Sequence, residues 1–355
     1  MPIHNFSAGP AMLPTEVRER LAEALAPSPD GAPSIAEVSH RGPRFTAVAE
    51  ELHQRLRDLT GIGEEHAVLL LHGGANCQFA QLPMNLAADR TAAFLISGHW
   101  SKKALAEAER VTRTQVVGSS EESGFTDLPE MGHLPGDCAY LHYTGNETIH
   151  GLQFQQPPRV GVPLAADLSS EFLSRPYPYR DIAVGYAGAQ KNLGIAGLTV
   201  VLVRRDLLEH VPDTLPRFMD YRTWAHDLSL YNTPASLAWY TALEVLRWIE
   251  RAGGLEVISE RNQRKAGTLY RAIDDSDFWH NPVAVDGRSV MNVPFWPPDE
   301  ALVSVFVGEA EAAGLQGLKG HRALGGLRAS LYNAQSMDAV ETLVDFMHTF
   351  ERRRG

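Results

Sequence analysis

One lysine stands out by its surroundings. Lys191 lies within Tyr186-Ala187-Gly188-Ala189-Gln190-Lys191-Asn192-Leu193-Gly194-Ile195-Ala196-Gly197, between apolar runs at 182–184 and 198–203. An amine among small and apolar neighbours is poorly solvated, which disfavours the ammonium and leaves a nucleophile. The small side chains leave room for a flat group against it. That setting suits a Schiff-base lysine holding an aldehyde cofactor such as pyridoxal phosphate. A surface lysine in a glycine-rich turn fits the same twelve residues, so the remainder of the chain has to decide.

Several other positions offer complementary chemistry, each with a plainer alternative. His72-Gly73-Gly74-Ala75-Asn76 joins an apolar run to a helical pattern. Free N–H groups and the helix dipole make such a turn an anion cup suited to a phosphate, although it also fits a simple tight turn. Asp167 ends a run of apolar and small residues. A carboxylate is costly to bury there unless paired; in a pyridoxal site it holds the ring nitrogen protonated, and otherwise it caps a helix. Trp100, after Ser97-Gly98-His99, can stack on a ring or fill the core. The pair His40-Arg41 recurs as His321-Arg322, both in glycine-flanked segments, and Arg328 follows Gly325-Gly326-Leu327. Such residues suit phosphate and carboxylate groups, or are solvated surface cations.

These residues fall where secondary structure can assemble them. Apolar runs at 67–71, 92–96, 138–143 and 162–166 each end in small or polar residues and alternate with helical patterns. That predicts buried parallel strands in βαβ units, with ligands at the strands' carboxyl ends. Helices are predicted at 15–26, 44–59, 103–111 and 236–251, with Pro43 as a start signal and Gly253-Gly254 as a boundary. A helix at 255–273, a strand at 290–293, a helix at 300–313, a strand at 326–331 and a helix at 336–352 follow. The expected plan is an α/β chain: a large domain over 16–253 with a mostly parallel sheet, and a small α+β domain from 1–15 and 254–355.

Composition narrows the function classes. The 355 residues carry a net charge of −11, which argues against nucleic-acid and anionic-membrane partners. Two cysteines, Cys77 and Cys138, are too few for a disulfide framework or a cysteine metal site, so no metal is expected. The N-terminus shows no basic segment followed by an apolar one, and no apolar run approaches a membrane span; a cytoplasmic protein is expected. The chain has no His-Glu-x-x-His, Cys-x-x-Cys, Walker A, Gly-x-Gly-x-x-Gly or Gly-x-Ser-x-Gly motif.

Taken in order, the motifs resemble the phosphoserine aminotransferase family, within the class V (subgroup IV) pyridoxal-phosphate enzymes of fold type I. The words that carry the likeness run nearly end to end. Among them are Asn5-Phe6-Ser7-Ala8-Gly9-Pro10, Val38-Ser39-His40-Arg41-Gly42, Asn146-Glu147-Thr148-Ile149, Ala166-Asp167-Leu168-Ser169-Ser170, Gln190-Lys191-Asn192, Tyr231-Asn232-Thr233-Pro234 and Leu318-Lys319-Gly320-His321-Arg322. The resemblance implies that Lys191 forms the Schiff base with pyridoxal phosphate and moves the proton. It implies that Asp167 pairs with the ring nitrogen, Trp100 stacks on the ring and Thr148 bonds its phenolic oxygen. Ala75, Asn76 and Gln190 would bind the cofactor phosphate, completed by Asn232 and Thr233 of a second subunit in a homodimer with shared sites. Arg328 would hold the substrate α-carboxylate, and His40, Arg41, His321 and Arg322 its phosphate, the first pair across the dimer.

The implied reaction is a ping-pong transamination of O-phospho-L-serine with 2-oxoglutarate to 3-phosphooxypyruvate and glutamate, in serine biosynthesis. A phosphorylated hydroxythreonine on the route to vitamin B6 is a second expected substrate. The chain departs from some relatives. Gly74-Ala75-Asn76-Cys77 carries no arginine, Ala8 stands where a second serine can occur, and Thr144-Gly145 replaces a Cys-Pro. Two rival readings are another class V activity, such as cysteine desulfuration or alanine–glyoxylate transamination, and a non-catalytic cofactor binder. The positions of Cys77 and Cys138 argue against desulfuration; Lys191, Asp167 and Arg328 together argue against a mere binder.

Overall fold

The computed structural model describes residues 3–26 and 31–355. Its centre is a seven-stranded sheet of β1 (His66–Leu71), β2 (Thr91–Ile96), β3 (Arg113–Ser119), β4 (Cys138–Thr144), β5 (Leu164–Asp167), β6 (Val184–Gly188) and β7 (Thr199–Arg204), in the order β1-β7-β6-β5-β4-β2-β3. All neighbouring pairs are parallel except the two made by β7, which runs antiparallel to β1 and β6. The α/β class and the mostly parallel sheet are as expected.

The strands are apolar because both faces are covered. Along β1, Val68 and Leu70 enter one core cluster while Ala67, Leu69 and Leu71 enter the other; along β7, Val200 and Leu202 part from Val201 and Val203 in the same way. This alternation is the two-residue period of a strand. Helices α1 (Thr15–Leu25), α2 (Pro43–Thr60) and α5 (Ser236–Arg251) cover the first face, and α3 (Gly74–Leu86) and α4 (His99–Ala108) the second. In α2, Phe45, Val48, Ala49, Leu52 and Leu56 recur at helical spacing and are buried, and Pro43 occupies the first turn.

A third core cluster gathers α6 (Gly254–Asp274), α7 (Ala301–Ala312), α8 (Met337–Arg354) and the antiparallel pair β8 (Asn292–Phe295) and β9 (Leu327–Ser330). Phe6 belongs to it from the other end of the chain and is fully buried. β8 contains Pro294 and, among the described residues, pairs only with β9, so the missing N–H costs no ladder bond on a second side.

Candidate active site

Parallel order puts the carboxyl ends of β1, β2, β4, β5 and β6 at one edge of the sheet, together with the start of β7. Ligands gather at such an edge. A cavity of about 310 Å³ opens there, within the size range of small-molecule sites. Ala75, Asn76, Trp100, Thr148, Asp167, Gln190, Lys191, His321 and Arg328 all line it. Nine residues singled out from the sequence therefore meet in one place.

Lys191 sits in the loop joining β6 to β7, and that loop is pinned from three sides. Ala189 N–H donates to Leu198 O at 3.0 Å, Ala11 N–H to Gln190 O at 2.9 Å, and Asn333 N–H to Asn192 Oδ1 at 3.0 Å. Lys191 Nζ donates to Thr148 Oγ1 at 3.0 Å and lies 5.8 Å from the centre of the Trp100 ring. Burial pulls its pKa down to about 8, while Asp167 and Glu147 oppose that fall and Arg328 adds to it. The amine is thus far easier to deprotonate than an ordinary lysine.

Asp167 closes β5, in register with Thr144 of β4 and Tyr186 of β6, and is only 5% exposed. Its carboxylate accepts from Ser169 N–H at 2.9 Å. Burial raises its pKa, against the pull of the Lys191 charge and the Ser169 bonds. Arg328 extends from β9, donating through Nη1 to Thr148 O at 3.4 Å; its Nε is buried with no hydrogen-bond partner among the described residues. A guanidinium left so underpaired can receive a carboxylate.

The turn after β1 supplies the anion cup. Gly73 (φ 95°) precedes the 13-residue α3, whose first turn contains Gly74, Ala75 and Asn76 and has no side-chain cap. A Cβ on Gly74 would meet nothing within 4 Å, so space lies open in front of these N–H groups. A free helix N-terminus beside an empty volume can hold a phosphate without a cationic side chain. The donor set fits pyridoxal phosphate: an amine for the aldehyde, a buried carboxylate for the ring nitrogen, a hydroxyl at Thr148, an indole face, and a helix N-terminus.

Not every predicted residue reaches this cavity within one chain. Arg322 is exposed and lines a neighbouring groove of about 450 Å³ that shares His321 with the cavity. His40 and Arg41 lie together in the turn before α2, with Arg41 Nε 3.4 Å from His40 Nε2, and neither lines the cavity. Asn232 and Thr233 precede α5 and are absent from the lining as well; Asn232 Oδ1 is buried without a partner among the described residues.

Three residues near the mouth had no assigned role. The His99 ring lies 5.5 Å from that of His321. Burial, foremost, with the nearby charges of His99, His321 and Lys102, lowers the pKa of His150 to about 4. Glu147 is fully buried against the first turn of α4. Only their places at the ends of β2 and β4 could have flagged them.

Comparisons with known proteins agree with this geometry. Residues 3–343 match the family model for aminotransferase class-V. The chain is 47% identical over 353 residues to a phosphoserine aminotransferase of Ruthia magnifica subsp. Calyptogena magnifica, covering 99% of this chain and 98% of that one. It superposes on the phosphoserine aminotransferase from Bacillus circulans subsp. alkalophilus with a TM-score of 0.96, at 46% identity and 99% coverage of both chains. For the pyridoxal-phosphate-bound phosphoserine aminotransferase from Trichomonas vaginalis the TM-score is 0.92, at 38% identity, with 98% of this chain and 99% of that one covered. The chain belongs to the class-V aminotransferase family, whose cofactor is pyridoxal phosphate. Within that family it falls among the phosphoserine aminotransferases.

Proposed function

We propose that this protein transfers the amino group of O-phospho-L-serine to 2-oxoglutarate, giving 3-phosphooxypyruvate and glutamate for serine biosynthesis. The observation that carries the reading is the meeting of Lys191, Asp167 and Thr148 with an underpaired Arg328 and with His321 in one cavity. Phosphorylated hydroxythreonine, with the same charged groups, is a second candidate substrate.

When bound, pyridoxal phosphate supplies an electron sink for the charge left as a proton leaves the substrate's α-carbon. The chain's own residues do the rest. Arg328 orients the substrate by its α-carboxylate. Lys191 Nζ, with its pKa near 8, takes the α-proton and returns it, because an amine so poised works in both directions near neutral pH. Asp167 keeps a negative charge at the carboxyl end of β5, where it favours a protonated ring nitrogen. Trp100 closes one wall and excludes water. His321 and Arg322 place cationic groups where the substrate phosphate projects; half-buried His321 has a lowered pKa, chiefly from burial and then from His99, Arg328 and Arg322, so it is free to gain a proton with a bound anion.

Two chains sharing their sites accommodate His40, Arg41, Asn232 and Thr233, which lie away from their own cavity and stay available to a partner's. The groove beside His321 and Arg322 supports the same reading, since it is open to a second chain. The third core cluster, with Phe6 packed among residues of 266–350, supports a small domain of 1–15 and 254–355 beside a large one of 16–253; residues 1 and 2 lie outside the described ones. Among the described residues no helix is long and apolar enough to cross a membrane and no cluster of metal-binding side chains occurs. We place the enzyme in the cytoplasm.

The test is selectivity. Arg322→Ala is expected to lower kcat/KM for phosphoserine by about 10²-fold, the size expected for a lost charge-assisted contact, with a much smaller loss for glutamate. Equal losses for both amino acids would place the phosphate elsewhere.

A further inference from the structure

Glu147 is the most deeply buried carboxylate at the site, and none of the chemistry above uses it. It follows β4 in the segment Asn146-Glu147-Thr148, so it is the chain neighbour of the hydroxyl that holds Lys191. It is 0% exposed and faces no arginine or lysine within bonding distance among the described residues. Instead it closes the open end of α4. Oε2 accepts from Trp100 N–H at 2.9 Å; Oε1 accepts from Ser101 N–H and from Ser101 Oγ, both at 2.8 Å. The approach is so close that a Cβ on Gly98 would stand 2.6 Å from Glu147 Cδ and 2.7 Å from His150 Nδ1. A glycine is required there for reasons of space.

We propose that Glu147 is a positioning residue: a buried anion that locks the Trp100 wall onto the Thr148 segment and so fixes the place of Lys191 between them. The inference rests on the reading of Lys191 as the amine that receives the cofactor. Its physical logic is that two N–H groups at a helix N-terminus bind a carboxylate better than a neutral acceptor, and low dielectric strengthens those bonds. Removing the anion frees Trp100 and Ser101 N–H groups that have no other acceptor among the described residues. It also removes a charge that Lys191 feels. The groups facing the amine are Asp167 and Glu147, which favour the ammonium, and Arg328, which opposes it. Around Glu147 itself lie Asp167, buried Tyr186 and His150. Burial raises the Glu147 carboxyl to about 7, so it is largely ionised above neutrality, where Lys191 loses its proton. With one anion fewer, the Lys191 ammonium is less favoured and its pKa falls.

The experiment strips the full chain of cofactor, adds pyridoxal phosphate and follows the rate and extent of visible-band growth from pH 6 to 10. For the unaltered protein the rate rises with pH and levels off near pH 8. Glu147→Gln, whose amide offers one acceptor oxygen and an NH2 group in place of the two oxygens that Trp100 and Ser101 N–H use, is expected to bind the cofactor about tenfold more weakly and to level off at lower pH. Ser101→Ala keeps the charge and removes the hydroxyl that donates to Glu147 Oε1 and accepts from Ser97 and Gly98 N–H; it is expected to weaken binding several-fold with the levelling-off pH unchanged. If Glu147→Gln does not fold, the Ser101→Ala affinity alone decides, and an unaltered affinity overturns the proposal. An unaltered pH profile and affinity in Glu147→Gln overturns it too. Failure of the unaltered protein to capture the cofactor would instead remove the reading of Lys191 on which this inference rests.

Discussion

Lys191→Ala abolishes the visible absorbance of the bound cofactor and lowers turnover of phosphoserine by at least about 10⁴-fold, because both covalent capture and proton transfer are lost. The fold should survive. Nζ makes one side-chain bond, to Thr148 Oγ1 at 3.0 Å, and the loop around it is held by backbone bonds of Ala189, Gln190 and Leu193 and by Asn192. Absorbance spectra and steady-state rates of the purified variant check this. A variant with the wild-type rate would mean that another group moves the proton, and no other amine lines the cavity among the described residues.

Asp167→Asn has the next largest expected effect, a loss of about 10²–10³-fold in kcat, comparable to removing one preorganised electrostatic contact at a reacting centre. Cofactor remains bound, because Lys191 and the first turn of α3 are untouched. The sign of its second effect follows from the same charges. Asp167 is the foremost charge favouring the Lys191 ammonium, so its removal lets burial and Arg328 lower the amine's pKa further below about 8. The alkaline rise in the rate of cofactor capture therefore shifts to lower pH in this variant. Retention of full kcat would remove Asp167 from the mechanism and leave it a residue that fixes the following turn through its bond to Ser169 N–H.

Much of this site was legible because strand ends carry their own signals. Asp167 closes β5, Ala75 and Asn76 open α3 and Lys191 sits between β6 and β7, each marked by an apolar run that stops abruptly. What was hidden depends on contacts distant in sequence. Helix α4 was expected from 103 but starts at His99, because the Glu147 carboxylate, far along the chain, caps its first turn. Strand β3 escaped notice since it is an edge strand with exposed Arg113, Gln115 and Val116, which breaks the apolar run. The antiparallel setting of β7 cannot be read from its residues, which are as uniformly apolar as those of a parallel strand. Strand 290–293 is observed at Asn292–Phe295, as the two-stranded pair tolerates Pro294. His40 and Arg41 were marked by the recurrence of their pair at His321-Arg322 and Asn232 and Thr233 only by resemblance, and one chain alone does not bring any of them to its cavity.

The most direct measurement adds phosphoserine alone to the cofactor-loaded protein and follows its visible band, then adds 2-oxoglutarate. The account predicts loss of the band with one equivalent of 3-phosphooxypyruvate per site, and its return on the second addition with one equivalent of glutamate. A band unmoved by phosphoserine but discharged by alanine or cysteine would contradict it.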